Sequence, residues 1–245
     1  MHLLEGENVS KHFGGLAAVS EVDFYVDKGE ILGLIGPNGA GKTTLFNLIS
    51  ASLKPKPGKI TFKGIDITPK PAFRICRMGI ARTFQTVKIF PHVPVVRNVK
   101  VGALFGTGHH VSNAEATKKA EEALEFVDLL PLKDALAGDL TLAQQKRLEM
   151  ARALASGPEL LLLDELMAGL TAVEVAEAMG DVKQVRDSGV TVIMIEHLMQ
   201  AIMNVSDRIM VLDYGKKIAE GTPQEIASNP KVIEVYLGEE CDVAS

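Results

Sequence analysis

Four apolar runs punctuate the chain: Ile31-Leu-Gly-Leu-Ile35, Leu160-Leu-Leu-Leu163, Val190-Thr-Val-Ile-Met-Ile195 and Ile209-Met-Val-Leu212. Each is short, continuous and bounded by polar residues or glycine, the pattern of a strand buried on both faces. Leu3–Val9, Val22–Val26 and Lys59–Phe62 read as further short strands. Helical spacing marks Thr44–Ser50, Glu115–Leu130 (Ala120, Leu124, Val127 and Leu130 on one side), Gln144–Ala155 and Val173–Asp187. Pro55-Lys-Pro-Gly58 is a turn. From Pro91 to about Gly108 two prolines and three glycines break the pattern, so no regular element is expected there. Alternation of strand and helix beyond Gly157 predicts a mostly parallel sheet with helices on its faces, and residues 86–156 read as a helix-rich insertion.

Composition narrows this picture. A length of 245 residues suits one large domain or a core with a subdomain, and no apolar run is long enough to span a bilayer. The opening Met1-His-Leu-Leu-Glu-Gly-Glu7 lacks the features of a signal peptide. Two cysteines far apart in sequence, Cys76 and Cys241, show no disulfide framework or zinc cluster, and a reducing cytosol is the simplest setting. His109-His110 reads as plain surface rather than a metal site. The net charge is −5, but nine basic residues and one acid lie between Lys54 and Lys88. Their dispersal reads as a solvated face, and no nucleic-acid partner is expected.

The chemistry is carried by Gly36-Pro-Asn-Gly-Ala-Gly-Lys-Thr43, which fits G-x-x-x-x-G-K-[ST] between an expected strand and an expected helix. Gly36, Gly39 and Gly41 let the backbone turn its N–H groups toward phosphate oxygens, together with Asn38, Ala40 and Thr44 at the helix start. Lys42 reaches the β- and γ-phosphates, and the Thr43 hydroxyl suits Mg²⁺. Leu160–Leu163 runs into Asp164-Glu165, at the end of a strand where ligands bind in open α/β sheets. Asp164 is suited to hold Mg²⁺ or its water, and Glu165 to act as general base on an attacking water. Gln85 and His197 stand at further strand ends, placed to sense the metal and to contact the γ-phosphate.

In this order the residues resemble the ATPase subunits of ABC transporters, from Leu3 to about Gly238. Gly36–Thr43 looks like Walker A, Leu160–Asp164 with Glu165 like Walker B and its glutamate, Gln85 like the Q-loop and His197 like the switch histidine. Phe13 lies where that family stacks an aromatic on adenine. Lys11–Val19, Arg82–Gln85 and Asn229–Gly238 look like the subunits serving branched-chain amino-acid import. The resemblance implies an α/β fold: a P-loop, RecA-like ABC ATPase core (1–85 and 157–238) with an antiparallel β subdomain and an inserted α-helical subdomain (about 86–156). An acidic tail, 239–245, follows. The implied cofactors are ATP and Mg²⁺, with Gln85 joining Thr43 and Asp164 around the metal. The implied partners are integral-membrane permease subunits and a second ATPase subunit, like or unlike, in a head-to-tail dimer at the cytoplasmic face of the membrane.

The signature loop departs from the family. Leu140-Thr-Leu-Ala-Gln144 keeps a hydroxyl at Thr141 and the amide at Gln144, but Ala143 replaces a glycine. Strain is expected there if the position needs φ > 0. Leu166 stands for the usual proline and Thr171 for an aspartate or asparagine. The residues that hydrolyse are intact and those donated to a partner are altered, which implies an unlike partner with a better signature loop. The alternatives are a soluble ABC ATPase outside transport, or a nucleotide-dependent interaction module with little turnover.

Overall fold

All four apolar runs become strands in the computed structural model, which describes residues 2–106 and 111–242; His109 and His110 lie outside the described residues. In chain order the elements are β1 (Leu4–Phe13), β2 (Leu16–Val26), β3 (Ile31–Ile35), α1 (Lys42–Ile49), β4 (Lys59–Phe62), β5 (Ile65–Asp66), α2 (Ala72–Met78) and β6 (Ile80–Arg82). Next come α3 (Val95–Phe105), α4 (Asn113–Phe126), α5 (Leu142–Ala155), β7 (Leu160–Asp164) and α6 (Ala172–Asp187). The chain closes with β8 (Thr191–Ile195), α7 (Met199–Val205), β9 (Arg208–Asp213), β10 (Lys216–Gly221), α8 (Pro223–Ala227) and α9 (Pro230–Asp242). α9 carries the first residues of the acidic segment in its last turn. No described helix is long and apolar enough to cross a membrane.

The chain separates into two units, residues 1–72 with 191–245 and residues 73–190. In the first, an antiparallel sheet runs β2-β1-β4-β5. Its β1–β2 hairpin is longer than the apolar pattern suggests, because main-chain pairing continues through polar residues to Phe13 opposite Leu16. A second set of strands in this unit runs β10-β9-β3-β8. There β3 lies parallel to both β8 and β9, while β10 returns antiparallel along β9. Every residue of β3 and β8 is buried, which is why both read as unbroken apolar runs.

In the second unit β6 lies parallel to β7, pairing Ile80 with Leu160 and Arg82 with Leu162. Helices α3, α4 and α5 pack on one another. The α4 face is lined by Ala116, Ala120 and Leu124, all fully buried.

The stretch from Pro91 to Gly108 corrects the sequence reading, because α3 occupies most of it. Pro94 stands at its N-cap, where a missing N–H costs nothing. Asn98 is fully buried; it accepts from Phe90 N–H and donates to the carbonyls of Phe90 and Val93, tying the proline-bearing loop to the helix. Gly102 is a contact residue rather than a breaker: a Cβ there would lie 2.0 Å from the Arg152 carbonyl oxygen of α5.

Gly102→Ala therefore tests this packing against helix propensity. Alanine gains about 1 kcal/mol of propensity, but overpacking against backbone costs about 1–3 kcal/mol, and the oxygen belongs to a helix that cannot yield locally. We expect the thermal midpoint to fall by several degrees, at roughly 2–4 °C per kcal/mol. A rise would show that α3 and α5 do not meet this closely.

Candidate functional site

The glycine loop is pressed against its own unit. Gly36 leaves β3 with φ 148°, and a Cβ on it would sit 2.0 Å from the Leu212 carbonyl oxygen of β9. Gly41 caps α1 with φ 100°, and a Cβ there would sit 2.2 Å from the Ala18 carbonyl oxygen of β2. The loop thus turns where only glycine fits. It is braced by Ala40 N–H donating to the Pro37 carbonyl and Gly215 N–H donating to the Ala40 carbonyl. Lys42 is buried, and its ammonium donates to the carbonyls of Gly36 (2.6 Å) and Pro37 (2.9 Å), so the loop curls around the cation. Ala40 is buried, whereas Asn38, Gly39 and Thr43 are exposed and Thr44 is half-buried. No side chain caps the α1 N-terminus. Its first-turn N–H groups, with the positive end of the helix dipole, make a cradle suited to a phosphate.

Phe13 ends β1 with about half its surface exposed (49%), its ring 5.6 Å from the Lys11 ammonium. His197 follows β8 and the buried Glu196, and is itself exposed.

In the second unit the two carboxylates at the end of β7 take different environments. Asp164 is buried (2% exposed), and its Oδ2 accepts from an Arg82 terminal nitrogen at 2.8 Å. Its Oδ1 is buried with no hydrogen-bond partner among the described residues. Burying such an oxygen unpaired costs free energy, so a cation or a cation-held water fits there. Arg82 was counted with the exposed basic face; β6 instead buries it against this carboxylate. Thr83 supports the strand end by accepting from Asp164 N–H.

Glu165 is half-buried with φ 51°, a left-handed conformation that costs a non-glycine residue on the order of 1–3 kcal/mol. Its Oε2 accepts from Gln85 Nε2 at 2.8 Å, so the structure brings together these two sequence-predicted residues. A carboxylate held by a neutral amide keeps lone pairs with which to take a proton from water. Sequence reasoning missed Lys146, whose buried ammonium donates to the Glu165 carbonyl (3.0 Å) and the Ala168 carbonyl (2.6 Å). It also missed Glu149, one turn along α5, whose carboxylate accepts from Lys88 N–H at 2.7 Å. Burial raises the Glu149 carboxyl above its ordinary range, opposed by the Lys88 N–H and the Arg152 guanidinium. The signal was present: Lys146 and Glu149 share a buried stripe of α5 with Met150 and Ala153.

The altered signature loop is a helix cap. Thr141 accepts from Gln144 N–H, and the Gln144 side chain accepts from Thr141 N–H. Ala143 lies in the first turn of α5 and is not among the positive-φ residues, so the strain expected of it does not arise. Thr171 likewise caps α6, accepting from Glu174 N–H while its hydroxyl donates to the Glu174 carboxylate. The threonine hydroxyl serves that cap in place of a carboxamide or carboxylate, although threonine ranks somewhat below asparagine and aspartate there.

Comparison with known proteins places this geometry in a wider setting. Residues 19–168 match the family described as ABC transporter, and residues 216–242 match the one described as branched-chain amino acid ATP-binding cassette transporter. The chain is 39% identical over 97% of its length to the high-affinity branched-chain amino acid transport ATP-binding protein BraF of Pseudomonas aeruginosa, covering 98% of that protein. It is 38% identical over 97% of its length to LivG of Escherichia coli, covering 98% of that one. Among solved structures, the ADP conformation of an ATP-binding cassette of an ABC transporter is 33% identical, with a TM-score of 0.87 over 97% of this chain and 99% of that one. A dimeric cassette in a post-hydrolysis state bound to ADP and Pi is 25% identical, with a TM-score of 0.80 over 90% and 98%.

The Arg82–Asp164 pair yields a direct test. Arg82→Met leaves a buried carboxylate without its cation and should cost about 3–5 kcal/mol in urea unfolding. Adding Asp164→Asn should recover most of that loss. Losses that simply add would show that the two groups are not coupled.

Proposed function

The chain belongs to the ABC transporter family, and on that premise we propose that it powers the import of branched-chain amino acids through integral-membrane permease subunits. It is an ATP-binding subunit with ATPase activity; the cargo, the partners and the residue roles are our reading. The observation that carries the cargo is the C-terminal match at residues 216–242, combined with near full-length likeness to BraF and LivG.

The roles follow from the chemistry of each side chain. Loop residues Gly36 and Asn38 to Thr44 offer N–H groups to the β- and γ-phosphates, and the Lys42 ammonium leaves the Gly36 and Pro37 carbonyls for phosphate oxygens. Mg²⁺, when bound, neutralises charge on the phosphate oxygens. The Thr43 hydroxyl and the unpartnered Asp164 Oδ1 are the groups that would hold it, with Gln85 as its sensor. Glu165 takes the proton of the attacking water, oriented by the amide of Gln85. His197 meets the γ-phosphate, and the exposed ring of Phe13 offers adenine a stacking face.

The α5 end, with Thr141, Ala143 and Gln144, faces the ATP of a second ATPase subunit in a head-to-tail dimer. Because Ala143 adds a methyl where glycine would let backbone approach phosphate, we favour an unlike partner subunit. The assembly works at the cytoplasmic face of the membrane.

The decisive test is reconstitution of the chain with its partner ATPase and permease subunits in vesicles. Leucine, isoleucine or valine should stimulate ATP hydrolysis and be taken up with it, and both activities should be lost in Glu165→Gln. Hydrolysis indifferent to these amino acids but stimulated by another cargo would overturn the assignment.

A further inference from the structure

We propose that Lys146 is a positioning residue for Glu165, holding the base in its left-handed backbone conformation from beneath. The proposal rests on the reading of Glu165 as the base. Three observations converge on it. Glu165 has φ 51°, which a residue with a Cβ keeps only when its surroundings impose it. The Lys146 ammonium donates to the carbonyl of Glu165 itself and to that of Ala168, so a single cation spans both ends of the turn that follows β7. Within that turn Ala168 N–H also donates to the Glu165 carbonyl, at 3.3 Å, a weak bond that alone would fix little.

The cost of burying Lys146 argues that the contact is specific. A buried ammonium needs acceptors, and here backbone carbonyls of the catalytic turn supply them. Three residues on, Glu149 reaches the loop bearing Gln85 through Lys88 N–H, and Gln85 donates to Glu165. One face of α5 therefore holds both loops whose side chains meet at the carboxylate. Lys146 sets the backbone of Glu165, and Glu149 sets the loop of its amide donor.

The test compares Lys146→Met, Lys146→Gln and Lys146→Arg, measuring kcat and KM for ATP in the complex with the partner ATPase and permease subunits, and nucleotide affinity and thermal midpoint in the full chain. The methionine variant keeps the bulk of the stem without the donor. Its kcat should fall by about tenfold or more while KM and ATP affinity stay within about twofold, the signature of an interaction that matters only in the transition state. Arginine, which can still donate to both carbonyls, should recover at least about a third of kcat, with glutamine between the two. A methionine variant with wild-type kcat, a loss confined to ATP affinity, or an arginine variant no better than methionine would overturn the proposal. If methionine prevents folding, the comparison of glutamine with arginine decides it, and equal kcat in those two would refute it. Glu165→Gln separates the two readings. Full turnover in that variant defeats the assignment of the base, whereas its inactivity beside an unimpaired Lys146→Met defeats only the role of Lys146.

Discussion

A backbone that is to face an anion with bare N–H groups must give up side chains where it passes its neighbours, and this constraint governs the first unit. At Gly36 and Gly41 an added Cβ would come within 2.0 and 2.2 Å of carbonyl oxygens on β9 and β2. Those strands cannot retreat, because β9 is paired along β3 and β10, and β2 along β1. The loop is therefore fixed by the sheets, and the α1 N-terminus and Lys42 are fixed with it. Preorganisation of this kind lets a site stabilise developing charge without reorganising when the charge arrives.

The second unit solves a different problem, that of housing two carboxylates at the end of a fully buried strand. Asp164 is balanced by Arg82 on one oxygen only. Glu165 is itself left-handed, which turns the chain out of the strand direction, and its carboxylate is engaged by Gln85. Both arrangements store cost locally, in an unpaired oxygen and a strained backbone, and the buried Lys146 ammonium of α5 engages the carbonyl at the second. The signature loop belongs to the same account. Its threonine and glutamine satisfy each other across the α5 N-terminus, so its departures from the family leave the helix well capped.

What could be read from the sequence was what depends on local pattern. The buried strands β3, β7, β8 and β9, the helices α4, α5 and α6, and the strand–loop–helix setting of Gly36–Thr43 all follow from apolar runs, helical spacing and glycine placement. What escaped depends on contacts distant in sequence. α3 was hidden because Gly102 and Pro94 look like breakers until Arg152 and the N-cap position explain them. The hairpin extension to Phe13 and the return of β10 rest on main-chain pairing, which leaves no apolar trace. In the site, Asp164, Glu165 and Gln85 were legible as types at strand ends. Arg82 and Lys146 were not, since a basic residue reads as solvated until burial shows which oxygens it serves. The strain foreseen at Ala143 was conditional on a positive φ, and the first turn of a helix removes that condition.

The most direct measurement on this account is calorimetric titration of MgATP into the purified chain, beside Lys42→Ala. If the loop is the phosphate site, the wild-type chain binds one ATP. Loss of a charged hydrogen-bond donor worth about 1.5–3 kcal/mol then weakens the variant by roughly ten- to a hundredfold. Equal affinity in the two proteins, or no binding by the wild type, would contradict it.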